Sequence, residues 1–250
     1  MRLPAGDRFV SVVIPCLNEE EPIADVVRDV LAQKVDEVIV VDNGSTDRTA
    51  EYAAKAGARV VRMPQPGYGR ACAAGVKAVD ERCDIVCFLD GDGSDVPAFM
   101  ADVVGPVAAD QADFVMGSRL RGKREAGSMT PQQVLAGWLA GLLLRITYGV
   151  RYTDMSPFRA LRADRLRALG MSEMTYGWNL EMQMRAAAAQ YRILEVPVDH
   201  RCRQGGVSKV SGNLTAGMKA AWKIVTTFLR LAVSLRREPP PQFHLHDKKV

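Results

Sequence analysis

Short apolar, β-branched runs alternate with stretches of helical spacing through the first half of the chain. Residues 10–15, 37–42, 59–63, 85–90 and 114–118 read as strands, with helices predicted near 22–32, 47–56, 70–80 and 97–109. Strands and helices alternating at this rhythm make βαβ units, and so predict an α/β fold on a mostly parallel, Rossmann-like sheet. The second half changes character. Residues 131–148 form a strongly apolar helical stretch, 151–162 a loop, 179–190 a helix and 193–197 a further strand. A polar loop over 207–212 leads into a long helix, 213–237, that carries apolar and basic positions. From Glu238 three prolines and a polar end predict a disordered tail over 238–250.

In sheets of this kind ligands bind beyond the carboxyl ends of the strands. Those ends read Pro15-Cys-Leu-Asn18-Glu19, Asp42-Asn-Gly-Ser45-Thr-Asp47, Asp90-Gly91-Asp92-Gly-Ser94-Asp95 and Gly117-Ser-Arg119. Polar residues recur four times at one edge, more than loop chemistry alone explains.

Composition narrows the class. With 250 residues, 48% hydrophobic and 25% charged, the chain can bury a sizeable core in one large domain or two small ones. That excludes disordered, collagenous and fibrous proteins. Cys16, Cys72, Cys83, Cys87 and Cys202 form no CxxC pair and are odd in number, which argues against a zinc module and a disulfide framework. A reducing cytosol is the expected setting. The opening MRLPAGDRF lacks the apolar run of a signal peptide, and the apolar stretch 134–146 is interrupted by Arg145 and is short for a bilayer span. The net charge of +4 conceals an asymmetry: residues 199–250 carry +7 and the rest −3. A basic C-terminal fifth calls for an anionic partner such as a membrane surface or phosphate, the alternative being a solvated tail.

Asp90-Gly91-Asp92, directly after the run IVCFL, is the strongest local signal. Two carboxylates at a strand end suit Mg²⁺ or Mn²⁺ held together with substrate phosphates, the alternative being an ordinary Asp-Gly turn. Asp42 precedes a segment in which Ser45 or Thr46 reads as a helix cap, and it is free to touch a ribose or base. Gly67-Tyr-Gly69-Arg-Ala-Cys72 fails the dinucleotide fingerprint, because Cys72 stands at the third glycine, and leaves only a turn where backbone approaches a nucleotide. No P-loop motif occurs. Arg119 and the set Arg201, Arg203 and Lys209 are candidate phosphate ligands. His200 reads as incidental, and Met171, Met174, Met182 and Met184 as helix packing. Trp138, Leu142 and Leu143 fit either a core or a bilayer interface beside Arg145.

Taken in order, VVIPCLNEE, VIVVDNGSTDRTA, GYGRACAAG, VCFLDGDG, FVMGSR, TDMSPFRALR, GWNLEMQMRAAA and ILEVPVDHRCRQGGVSK resemble the family 2 glycosyltransferases. The likeness is to the branch of dolichol-phosphate mannose synthase and bacterial polyprenyl-phosphate glycosyltransferases. It implies one GT-A domain over residues 1–237, with a nucleotide-sugar half at 9–120 and an acceptor half at 121–237. By that resemblance Pro15, Asn18, Glu19, Asp42 and Ser45 line the nucleotide pocket. Asp90, Gly91 and Asp92 meet the sugar diphosphate, Asp90 and Asp92 hold Mg²⁺ or Mn²⁺, and Arg119, Arg201, Arg203 and Lys209 bind donor or acceptor phosphate. The chain departs from the mannose synthases at Gly93-Ser94-Asp95, where Ser94 or Asp95 is left to complete the metal shell. It departs again at REAGSMTPQQ, and no C-terminal transmembrane helices follow.

The implied reaction is an inverting hexosyl transfer from a GDP-mannose- or UDP-glucose-type donor to a polyprenyl phosphate. The acceptor is already ionised, so no strong base is needed. A hydroxyl acceptor would need one, and Asp154 and Glu181 are the candidates. A catalytically idle nucleotide-sugar-fold module is a further alternative. The amphipathic helix near 216–237 fits attachment to the inner face of a membrane, or packing on the domain; nucleic acid is not an expected partner.

Overall fold

The computed structural model describes residues 6–205 and 214–237. Strands β1 (Val10–Cys16), β2 (Glu37–Asp42), β3 (Arg59–Arg62), β4 (Ile85–Phe88) and β5 (Phe114–Ser118) fall where the apolar runs place them, as does β7 (Ile193–Pro197). β6 (Arg159–Arg162) lies at the end of a segment whose sequence reads as loop, and so corrects that expectation. Its four residues, two of them arginine, carry too little pattern to signal a strand. The helices are α1 (Ile23–Ala32), α2 (Thr49–Lys55), α3 (Tyr68–Ala78), α4 (Met100–Ala108), α5 (Pro131–Tyr148), α6 (Ala163–Ala168), α7 (Trp178–Ala188) and α8 (Leu214–Arg237).

The seven strands form one sheet in the order β3-β2-β1-β4-β6-β5-β7. Every pairing is parallel except those of β6, which runs antiparallel to both β4 and β5. Alternate residues of β1 face opposite sides. Val12 and Ile14 join the core under α1 and α4, and Val13 joins the core under α3, α5 and α7. A strand buried on both faces reads as a continuous apolar run, which is why VVI and VIVV were legible. Met182 and Met184 are fully buried packing residues, and Leu143 packs against the same core.

α5 is the helix whose ends the sequence fixes most sharply. Thr130 caps it reciprocally with Gln133, Pro131 occupies the first turn, and Gly149 closes it in the left-handed conformation (φ 73°). Among the described residues no helix is long and apolar enough to cross a membrane. The predicted loop over 207–212, Lys209 and the tail 238–250 lie outside the described residues.

Candidate active site

The chain runs from β1 to β3 on one side of β1 and then crosses to β4 on the other, so the sheet has its switch point between β1 and β4. Pairing of β1 with β4 stops at Val13–Phe88, whereas pairing with β2 continues to Cys16–Asp42. Pro15 therefore lies beyond the last β4 partner, where its missing N–H costs no ladder bond on that side. β6, running the opposite way, begins at this same edge, with Arg159 beside Phe88 and Met116. That reversal brings residues 154–158 to the site.

The loops after β1 and β2 are stitched together. Asn18 adopts a left-handed backbone (φ 55°), a conformation Asn tolerates. Its N–H donates to Ser45 Oγ (3.0 Å) and its Oδ1 accepts from Thr46 N–H (2.8 Å). Glu19 N–H donates to Thr49 Oγ1 (2.8 Å), and Ser45 N–H to Asp42 Oδ1 (2.8 Å). Asn18 and Ser45 thus build the rim, while Glu19 and Asp42 bring buried carboxylates to it. The start of α2 differs from expectation: Arg48 stands at the N-cap without a side-chain cap, and Asp47 Oδ1, not Ser45 or Thr46, accepts the N–H of Thr49 (3.0 Å).

Beyond β4, Asp90, Asp92 and Asp95 converge. Gly91 is required there because a Cβ would run into Cys16 Sγ at the end of β1. Tyr68 O–H donates to Asp90 Oδ1 (3.1 Å), and Asp95 Oδ2 accepts the N–H of Asp90 (3.0 Å). Ser94 is spent on Asp92, donating to its Oδ1 from both N–H (3.0 Å) and Oγ (2.6 Å). The oxygen left over belongs to Asp95: its Oδ1 is buried without a hydrogen-bond partner. Burial, reinforced by Asp92 and Asp95, pushes the Asp90 carboxyl well above the usual range, and burial pushes Asp95 up to about 7. Three carboxylates crowded in this way favour a cation among them.

Two sequence candidates are held in ion pairs. Asp154, 1% exposed, grips Arg119, 12% exposed, by three bonds. Its Oδ2 accepts Arg119 N–H (3.0 Å) and Nε–H (2.8 Å), and its Oδ1 accepts Nη2–H (2.7 Å). Burial opposes its ionisation, but Arg119 overcomes this and holds the carboxyl below the usual range. A carboxylate so held is a poor base, which weighs against Asp154 as a catalytic base. The edge of Arg119 that would fork onto a phosphate is occupied by Asp154; what Arg119 offers is its charge, which reaches Asp90 and Asp95. Glu181 is also an anchor: fully buried, it accepts Glu173 N–H (2.7 Å) and Arg185 Nε–H (2.8 Å).

The segment after β7 straps across the carboxylates. Arg201 N–H donates to Ser94 O (2.9 Å), Gln204 N–H to Asp92 O (2.9 Å), and the exposed Arg201 side chain stays at the rim. Arg203 pairs with Glu19 (2.8 Å), joining the strap to the nucleotide rim. His200, read as incidental in the sequence, is buried with Nδ1 3.8 Å from Asp95 Oδ1 and no hydrogen-bond partner there. Burial, then the charge of Arg119, lowers it to about 4, so it stands neutral.

Tyr68 and Asn43 escaped the sequence reading. Asn43 ties the 63–67 segment to β2 by donating to Met63 O and Gln65 O (both 2.8 Å) and accepting from Gly67 N–H (2.9 Å). The glycines flanking Tyr68 admit protein rather than a nucleotide. Gly69 N–H donates to Thr175 O (3.1 Å), and a Cβ on Gly69 would strike Glu173 O.

The donor set fits a hard divalent cation. Asp90, Asp92 and the open Asp95 oxygen offer the hard oxygen donors such an ion takes, and the neutral His200 nitrogen lies 3.8 Å from Asp95 Oδ1. Among the described residues no three such side chains are arranged as a finished cage.

Comparison with known proteins gives the family. Residues 11–170 match the family model for glycosyl transferase family 2. The chain is 39% identical over 230 residues to an uncharacterized glycosyltransferase of Mycobacterium tuberculosis, covering 89% of this chain and 100% of that one. It is 30% identical over 238 residues to an undecaprenyl-phosphate mannosyltransferase of Micrococcus luteus, covering 86% and 96%. Among solved structures it resembles glucosyl-3-phosphoglycerate synthase of Mycobacterium tuberculosis in complex with Mn²⁺, UDP-glucose and phosphoglyceric acid. That likeness has a TM-score of 0.68 at 25% identity, over 92% of this chain and 82% of that one.

Proposed function

This chain belongs to glycosyl transferase family 2, and from that premise we propose that it transfers a hexose from a nucleotide-diphosphate sugar to a polyprenyl phosphate, with inversion and with Mg²⁺ or Mn²⁺ bound. The fold is the GT-A arrangement of its structural relatives, and the enzyme class is glycosyltransferase. Which acceptor it uses is the finer question.

The observation that carries the reading is the state of the two candidate bases. A hydroxyl must lose its proton during attack, whereas a phosphate is already ionised near neutral pH. Asp154 is locked onto Arg119 and Glu181 onto Arg185. Both carboxylates are engaged by arginines rather than open toward the site, which supports an acceptor that needs no base. In the proposed step an acceptor phosphate oxygen attacks the anomeric carbon. The bond from that carbon to the donor's β-phosphate oxygen breaks, and the nucleoside diphosphate departs with the electron pair.

The residues divide the work. Glu19 and Asp42 face the nucleotide from the rim that Asn18 and Ser45 hold. Asp90 and Asp92 would hold the cation together with the donor phosphates, and its contribution when bound is to neutralise the leaving diphosphate. Arg119, fixed by Asp154, supplies positive charge where two anions approach, and Arg201 and Arg203 supply more from the strap. Relatives point to the same acceptor class: one is an undecaprenyl-phosphate mannosyltransferase. The likeness to glucosyl-3-phosphoglycerate synthase favours a second reading, a small phosphorylated acceptor. Attachment at the inner face of a membrane belongs to the first reading.

The test is calorimetry with GDP-mannose, UDP-glucose and UDP-N-acetylglucosamine, each with and without Mn²⁺, against Asp92→Ala. Transfer of the bound sugar to undecaprenyl phosphate or to phosphoglycerate is then measured. Metal-dependent binding of one donor, abolished in the variant, with transfer to the lipid alone, is expected. Transfer to phosphoglycerate alone would overturn the acceptor, and no donor binding would favour an idle module.

A further inference from the structure

The first turn of α3 meets the carboxylate site through Tyr68, whose hydroxyl donates to Asp90 Oδ1 (3.1 Å). Gly67 stands at the N-cap of that helix without a side-chain cap. The N–H groups of an opening turn have no acceptor within their own helix. Here those of Gly69 and Arg70 donate to the main-chain carbonyls of Thr175 (3.1 Å) and Met174 (3.0 Å). Residues 172–175, far along the chain, therefore cap the turn. The approach is close: a Cβ on Gly67 would strike Met174 O, and one on Gly69 would strike Glu173 O. Tyr68 stands between these two glycines, so the lie of the cap sets where its hydroxyl falls.

Two carboxylates fix the capping segment. Glu181 of α7 accepts the N–H groups of Ser172 (3.0 Å) and Glu173 (2.7 Å). The buried Glu173 accepts the N–H of Thr175 (3.0 Å) and its hydroxyl, closing the turn whose carbonyls meet α3. The same carboxylate accepts a bond from the exposed Arg230 of α8. Burial opposes ionisation of Glu173, but Thr175 and Arg230 hold its carboxyl below the usual range. α8 is itself seated here: Phe228 and Leu231 are buried, and a Cβ on Gly177 would meet both Glu173 and Thr227.

A serine or aspartate at the N-cap would cap α3 from its own sequence. The task falls instead to a segment held by a buried charge and tied to two other helices, and the capped turn carries Tyr68 to the site. We infer that Glu173 is a positioning residue for the carboxylates: it sets the segment 172–175, the segment sets the first turn of α3, and that turn holds the Tyr68 hydroxyl on Asp90, with Arg230 clamping the far end. The C-terminal helix thereby reaches the cation site through one ion pair. This rests on the metal-dependent reading above and names what orients its carboxylates.

The full chain is labelled with fluorotyrosine, and the Tyr68 signal is identified by its loss in Tyr68→Phe. Glu173→Ala, Arg230→Gln and Arg230→Lys are then compared by fluorine NMR without metal, by Mn²⁺ affinity from electron paramagnetic resonance, and by thermal midpoint. The Tyr68 signal should shift in Glu173→Ala and Arg230→Gln and return toward its native place in Arg230→Lys. Mn²⁺ affinity should fall about tenfold in Glu173→Ala and about threefold in Arg230→Gln, the range of one lost or weakened hydrogen bond. Adding Glu173→Ala to Tyr68→Phe should cost less than about twofold more, because residues acting through one contact are not additive. Arg230 is exposed, where substitution disturbs folding little, so its variants test the relay even if Glu173→Ala fails to fold. A Tyr68 signal or an Mn²⁺ affinity indifferent to the variants, or a full second loss in the double variant, would overturn the assignment and leave Glu173 a stabiliser of the fold. A native chain that binds no Mn²⁺ while the Tyr68 signal still moves defeats the metal reading alone. Mn²⁺ bound equally by the native chain and Arg230→Gln, with the signal unmoved, defeats the relay alone.

Discussion

Replacing Asp154 by Asn separates a brace from a base. The side chain keeps its size but loses the charge that faces Arg119 at three short bonds. Both partners are shielded, at 12% and 1% exposure, so water cannot compensate. Removing one member of a buried pair leaves the other uncompensated, at a cost of about 3–5 kcal/mol. For a chain of this size each kcal/mol moves the thermal midpoint by roughly 2–4 °C, so a fall of about 10 °C is expected by scanning calorimetry. Converting both members, Arg119→Met with Asp154→Leu, should recover part of that loss, since no charge is then stranded. The pH dependence has a definite sign. The folded-state pKa of Asp154 is depressed, so its stabilisation is complete above the unfolded value of about 4 and is lost as pH falls through the lower folded value. The gap in stability between the native chain and Asp154→Asn should therefore be full at pH 7 and close in strong acid. A variant that lost all transfer while its midpoint moved less than about 2 °C would refute this reasoning and make Asp154 a chemical participant.

Tyr68→Phe removes the hydrogen bond to Asp90 Oδ1, and Mn²⁺ affinity measured by electron paramagnetic resonance should weaken about tenfold. An unchanged affinity would show that Asp90 is oriented by other contacts. Gly91→Ala places a methyl against Cys16 Sγ, and should destabilise by about 1–3 kcal/mol in urea titration; a neutral result would mean that the end of β1 gives way. Arg203→Gln breaks the tie to Glu19, and should raise the donor KM with little change in thermal midpoint; an unchanged KM would leave the strap without a part in donor binding.

Much was legible in the chain because the physics was local. Buried parallel strands need continuous apolar runs, and VVIP, VIVV and IVCFL supplied them, with the polar residues of the site placed just past their ends. The ordered motifs marked the family, and the apolar stretch 131–148 with proline at its start and glycine at its end marked α5. What the sequence could not convey was pairing across distance. Arg119 and Asp154 stand 35 residues apart, and only the antiparallel entry of β6 between β4 and β5 brings them together. His200 reads as incidental until the strap after β7 lays it beside Asp95, 105 positions away in the chain. That Ser94 is engaged by Asp92 while Asp95 Oδ1 is left open is likewise a matter of hydrogen bonds formed only in three dimensions. Composition and periodicity determine which faces are buried; the partner of each buried charge depends on how the sheet closes, because a charge removed from water is governed by its nearest neighbours in space rather than along the chain.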